Sequence, residues 1–147
     1  SGPAAAHESS PKLDVPDSAE AAAAVVDRFF AALSSGDLAQ AGAQLDPAVI
    51  ILESGGAEHS AAEYLGGHAK GDAQFLKGAH HVLNRRSARA TGDVAWVASE
   101  SELHVEKDGK PSTIASAETM VLRSGQEGWK IVHIHWSSRV KKPGDSH

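Results

Sequence analysis

The chain has 147 residues, enough for a single domain that buries roughly two-thirds of its unfolded surface. Hydrophobic residues make up 41% of it, but 26 of these are alanine, so the large apolar side chains must be gathered on a few faces. A net charge of -5 with histidine neutral argues against a nucleic-acid partner, and no apolar run approaches the roughly 20 residues of a membrane helix. The absence of cysteine excludes disulfides, thiolate metal sites and cysteine nucleophiles.

Residues 1–16 read as a disordered N-terminal tail, since 3–16 is rich in Ala, Ser and Pro and has no apolar periodicity. Such a stretch often follows a removed export signal, so we expect a periplasmic or secreted protein, with a cytoplasmic one as the alternative. The domain is expected over 17–139, with 140–147 as a second polar tail. Asp17 and Ser18 open the first helix with Glu20 as capping-box acid, and Gly36 closes it. Val25, Val26, Phe29, Phe30 and Leu33 form its buried stripe, with Asp27, Arg28 and Ser34 turned away. Asp37 caps a short second helix ending near Leu45, Pro47 stops it, and the apolar, β-branched run 49–53 reads as a strand.

Ser60-Ala61-Ala62-Glu63 is a capping box that opens a third helix, so Glu63 is read as a backbone cap and not as a catalytic group. If that helix runs unbroken through Gly66 and Gly67, then Tyr64, His68, Asp72 and Phe75 fall within roughly an 80° arc on its apolar side. A kink at the glycines would turn His68 elsewhere. From His80 the period becomes alternating, and strands are expected over 80–91, 93–107, 110–124 and 128–138. Gly92 and Asp108-Gly109 mark hairpin turns between them. Three helices followed by a long meander predict an α+β fold whose sheet folds over the helices.

Two stretches carry a family likeness: Ala24-Val25-Val26-Asp27-Arg28-Phe29-Phe30-Ala31-Ala32-Leu33-Ser34-Ser35-Gly36-Asp37, and Gly128-Trp129-Lys130-Ile131-Val132-His133-Ile134-His135-Trp136-Ser137-Ser138. Together they resemble the nuclear transport factor two-like superfamily, and within it the SnoaL-like and ketosteroid-isomerase-like bacterial proteins. The resemblance implies a cystatin-like cone: three N-terminal helices packed in a strongly curved antiparallel sheet, an internal pocket, and a homodimer through the sheet's outer face. Members include isomerases, cyclases, dehydratases and proteins of no known chemistry, so the fold alone does not fix an activity. Counting from Gly36-Asp37, Glu53 falls where the isomerases of that superfamily place their carboxylate base, and Phe29 stands where they place an oxyanion-binding tyrosine. Phenylalanine has no O–H, so the electrophilic half of that mechanism is missing unless His68 or another group replaces it, which argues against steroid-type isomerisation.

His133 and His135 are two apart on a strand, so both point to one sheet face together with Trp129 and Ile131, and that face is expected to be the pocket. Glu118 alternates in phase with Ile114, Met120 and Leu122 and should also face inward; Glu100, Glu102 and His104 share a face with Trp96. The expected pocket is therefore lined by Phe29, Tyr64, Trp96, Glu118, Trp129, His133 and His135, with Glu53, His68 and Asp72 as candidate catalytic groups.

Three readings of this set stay open. One is a small-molecule-binding protein, including a cofactor-independent lyase, isomerase or hydrolase, with Glu53 or His68 as base, Asp72 orienting His68, and His133 or His135 as acid. Another is a metal site, with zinc, copper or iron as a divalent cofactor held by His133 and His135 and completed by His68 or Glu118. A third is non-catalytic: buried histidines paired with Glu118 and Ser116 in a domain that dimerises or binds a partner.

The remaining groups carry less. His80 and His81 straddle two faces, so at most one joins the pocket; His59 lies in a turn, and His7 and His147 lie in the tails. Trp96, Trp129 and Trp136 read as core, pocket wall or dimer face. Arg85, Arg86 and Arg89 read as a solvated strand surface, with an anionic ligand as the alternative.

Overall fold

The structure, a computed structural model, describes residues 10–142, 144 and 145, so His7 and His147 lie outside the described residues. Helix α1 (Asp17–Ser35) ends where the sequence predicts. Gly36 takes the left-handed φ of 79°, and the N–H groups of Gly36 and Asp37 return to Leu33 O and Ala32 O. Its start differs from expectation, because Pro16 is the N-cap and no side chain caps the helix. Asp17 and Glu20 instead sit in the first turn, where their charge favours the positive end of the helix dipole. Asp37 caps α2 (Leu38–Ala43), accepting from Gln40 N at 3.0 Å.

The expected third helix is two. Ser60 Oγ accepts from Glu63 N at 3.0 Å and starts α3 (Ala61–Gly66), but the chain breaks at Gly67 (φ −130°, ψ −102°) before α4 (His68–Lys77) begins. Glu63 Oε2 accepts in turn from His59 N at 3.3 Å, a capping contact outside the pocket.

The long strands are β4 (His80–Thr91), β5 (Val94–Lys107), β6 (Lys110–Gly125) and β7 (Gly128–Val140). Their antiparallel meander follows from the alternation and turn signals. Strand β2 (Leu45–Glu53) is longer than expected and includes Pro47, which sits at an irregularity between Leu45 and Ile50 where a ladder donor is dispensable. Two short strands escaped the sequence reading: β1 (Lys12–Asp14), inside the stretch read as a tail, and β3 (Gly56–Glu58). The sheet has seven strands in the order β1-β4-β5-β6-β7-β2-β3 and is mixed, not wholly antiparallel, since β1–β4 and β2–β7 pair in parallel.

Two bulges decide which side chains face inward. In β7 the pairing passes from Leu122↔Ile131 to Val121↔His133, leaving Val132 as an extra residue. An unpaired residue reverses the side-chain alternation beyond it. Trp129 and Ile131 therefore face inward as expected, but beyond Val132 the inward residues are Ile134 and Trp136, and His133 and His135 face outward. In β4 the pairing passes from Leu83↔Ser101 to Arg85↔Glu100, leaving Asn84 as the extra residue and turning Arg86 inward. One face of the sheet covers α1, which also packs on α2 and α4. Phe29, Val97, Met120, Leu122, Ile131 and Ile134 are fully enclosed between them.

Candidate functional site

Between α1, α4 and the inner face of the sheet lies a cavity of about 390 Å³, a size suited to a small organic ligand. The helices supply its apolar wall through Val26, Phe29, Phe30, Leu33, Phe75 and Leu76.

The sheet supplies the polar wall, and the pairing register explains its order. Arg86 pairs with Ser99, Ser99 with Glu118, Glu118 with Trp136, and Trp136 with Glu53. These five inward side chains thus form one row across β4, β5, β6, β7 and β2, and all five line the cavity. Arg86 Nε donates to Ser99 Oγ at 3.0 Å, and Trp136 Nε1 donates to Glu118 Oε2 at 2.8 Å. One register step along, Ser101, Ser116 and Ser138 form a row of hydroxyls on the same wall.

Burial raises the Glu118 pKa above the usual glutamate value, against the opposing pull of the Trp136 hydrogen bond and the Arg86 charge. Glu53, at the solvent-facing end of the row, is also raised, first by partial burial and then by the neighbouring Asp72 carboxylate. Asp72 projects from α4 into the same cavity and is raised by burial, although Tyr64 Oη–H donates to its Oδ2 at 2.8 Å and favours the charged form. Tyr64 is itself fully enclosed, with its ring tilted 5.9 Å from that of Trp136 and its pKa driven up by burial and by Asp72. Trp136 also stacks on Phe29 at 6.4 Å. His81 lines the far end of the cavity, and burial followed by the Arg86 charge lowers its pKa.

The structure thus brings Glu53, Asp72, Phe29 and Glu118 to one cavity, with Tyr64 behind Asp72. It does not bring the other expected residues there. The break at Gly67 turns His68 outward, where its side chain is 78% exposed and its Nδ1 lies 3.0 Å from Glu58 Oε1; that contact raises its pKa. Asp72 consequently bonds Tyr64 and does not orient His68. His133 and His135 are on the outer face, and His133 Nδ1–H donates to Ile50 O at 2.8 Å. Trp96 is 40% exposed on the outer face, and Trp129 packs against the core outside the cavity. Glu100, Glu102 and His104 share the outer face with Trp96, as their phase predicts.

Arg86, Trp136, which the sequence left open between core, pocket wall and dimer face, and Asp27 are among the cavity residues whose direction was not legible in the sequence. The first two are turned inward by one-residue bulges that leave no periodic signal, and Asp27, read as facing away, sits on the cavity rim bound to Arg86. Ser34, also read as facing away, has its hydroxyl enclosed without a hydrogen-bond partner among the described residues. A metal centre on His133, His135 and His68 is not assembled, and the described residues hold no group of three or more His, Asp or Glu side chains placed to bind one ion. Among the described residues no helix is long and apolar enough to cross a membrane.

Comparison with known proteins places this geometry. Residues 22–141 match the model of the SnoaL-like domain. A candidate ketosteroid isomerase from Shewanella frigidimarina is 37% identical, with 82% of this chain and 98% of that one covered and a TM-score of 0.77. An NTF2-like protein with a cystatin-like fold from Novosphingobium aromaticivorans superposes at a TM-score of 0.69 and 17% identity, covering 88% of this chain and 85% of that one. A candidate calcium/calmodulin-dependent protein kinase II association domain from Xanthomonas campestris does so at 0.69 and 23%, covering 95% and 99%. These last two show the fold alone. No curated protein matches the chain. With most of its length matched to the domain model, the chain belongs to the SnoaL-like family of the nuclear transport factor two-like superfamily.

Proposed function

We propose that this chain binds a small carbonyl compound in the cavity and moves a proton on it without a cofactor, as an isomerase or a lyase. The observation that carries the reading is the inward row, which sets two carboxyls, Glu53 and Glu118, on either side of Trp136 on the polar sheet wall of the cavity, facing the apolar wall of the helices. Their environments suit different tasks. Glu53 reaches solvent, and partial burial and the Asp72 carboxylate beside it raise its basicity; it is the base that takes a proton from the carbon next to the carbonyl. Glu118 is more deeply enclosed and is held by Trp136, and burial favours its neutral form; that carboxyl is the group that donates to the carbonyl oxygen as charge develops there. It supplies the donor that Phe29 cannot. Glu53 then returns its proton to a second carbon, which shifts a double bond; or a β-hydroxyl leaves as water with the Glu118 proton, and the proton taken by Glu53 passes through solvent to restore Glu118. The 37% identity to a protein named as a candidate ketosteroid isomerase supports the reaction class and leaves the substrate open.

The outer face supports a homodimer in the same reading: Ile50, Leu52, Val94 and Trp96 are large, apolar and exposed on the face opposite the cavity. Light scattering on the wild type and Trp96→Arg would show a dimer that the variant weakens, and a monomeric wild type would overturn it.

The enzymatic reading is tested by incubating the protein in D2O with cyclic β,γ-unsaturated ketones and β-hydroxyketones and following deuterium uptake beside the carbonyl by NMR. General base catalysis predicts that Glu53→Gln slows exchange by about 10²-fold or more. Exchange no faster than in buffer, or exchange that survives Glu53→Gln, would overturn the assignment.

A further inference from the structure

Arg86 is the one cation on the polar row, and neither the proton transfer nor the fold uses its whole guanidinium. The Asn84 bulge turns it inward, it is 8% exposed, and it lines the cavity. Nε is bound to Ser99 and Nη1 to Asp27, at 2.7 Å, while Nη2 has no hydrogen-bond partner among the described residues. The pair with its counter-charge is weakened by water: Asp27 is in contact at 2.7 Å, but its side chain stands 67% exposed on the rim, against 10% for Arg86. The other nearby carboxyl, Glu118, is bound by Trp136 and is held toward its neutral form by burial. A buried guanidinium with one free N–H edge, opposite an apolar helix wall, is the arrangement that selects an anionic oxygen pair on an apolar body.

We propose that the ligand of this cavity is an organic carboxylate, its carboxylate seated on the free edge of Arg86 and its apolar body against Phe29, Phe30 and Leu33. The inference rests on the reading that the cavity binds a small organic molecule and adds the charge that molecule carries. It follows that Asp27 competes with the ligand for the guanidinium.

The test is isothermal titration of cyclohexanecarboxylate and phenylacetate, each against its own primary amide, which matches it in shape but is neutral. We expect each acid to bind the wild type at least tenfold more tightly than its amide. Arg86→Gln should level acid and amide, with a thermal melt to check that the variant is folded. Asp27→Asn, a change at an exposed position, should strengthen the acids about threefold or more and leave the amides unchanged, because it removes the negative charge that competes for the guanidinium. Equal binding of acid and amide, or acids weakened by Asp27→Asn, would overturn the carboxylate anchor and leave the small-molecule cavity standing. No binding by any of the four compounds would overturn both.

Discussion

Replacing Tyr64 with phenylalanine removes one oxygen and leaves the ring against Trp136, so it isolates the hydrogen bond to Asp72. The hydroxyl is fully enclosed and its donor distance to Asp72 Oδ2 is 2.8 Å. A hydrogen bond to a charged acceptor contributes about 1.5–3 kcal/mol, but Asp72 opens onto the cavity and water can replace part of the lost contact, so about 1–2 kcal/mol is expected. With a urea slope of about 2 kcal/mol per molar, the midpoint should fall by about 0.5–1 M. The pH dependence has a defined sign. The bond favours the ionised carboxylate, so its loss raises an Asp72 pKa that burial already lifts above the ordinary value. The difference between wild type and Tyr64→Phe is therefore largest above that pKa and shrinks as pH falls through it. Asp72→Asn keeps an acceptor for Tyr64 and should cost less. A midpoint change under about 0.2 M, or a difference that does not vary with pH, would show that the hydroxyl does not hold the Asp72 carboxylate.

Glu118→Gln tests the enclosed acid. A pKa raised by burial gives stability that is present at low pH and lost as pH rises through the folded value, so the variant should gain on the wild type between about pH 5 and about pH 8; an equal melting difference at both ends would contradict it. Ile134→Ala and His133→Ala test the bulge in β7: the first should cost about 2–5 kcal/mol and the second about 1 kcal/mol or less by chemical denaturation, and the reverse order would place the histidines inside. Gly36→Ala should cost about 1–2 kcal/mol, since its φ of 79° burdens a residue with a Cβ; an unchanged melting temperature would show that the turn can relax.

Much of this architecture was legible because long elements repeat their signal. Alternation over twelve or more residues gives β4 to β7 their positions, and the turns at Gly92 and Asp108-Gly109 give their pairing. Strands β1 and β3 have three residues each, too few to show a period, and are held in place by their partners. The two glycines at 66 and 67 announced the point of weakness, but only tertiary packing decides whether a helix continues through such a pair.

The site was half legible for a sharper reason. Glu118 follows the phase of Ile114, Met120 and Leu122 without interruption, so its direction could be read. Beyond Val132 and Asn84 the phase reverses, which exchanges His133 and His135 for Ile134 and Trp136 and turns Arg86 from the surface into the cavity. One inserted residue changes no local propensity, yet it moves every later side chain to the other face. The Arg86–Ser99–Glu118–Trp136–Glu53 row is likewise a property of register across five strands, invisible along any one of them.

If small molecules bind on this inner row and not on the outer face, the indole N–H groups of Trp136 and Trp96, one on each side, will separate the two. We would record them by two-dimensional ¹H–¹⁵N NMR, assigned through Trp136→Phe and Trp96→Phe, while titrating phenylacetate and a cyclic β,γ-unsaturated ketone. The Trp136 signal, whose N–H is bound to Glu118, should move on binding while Trp96 stays still. A Trp96 signal that moves while Trp136 does not would contradict it.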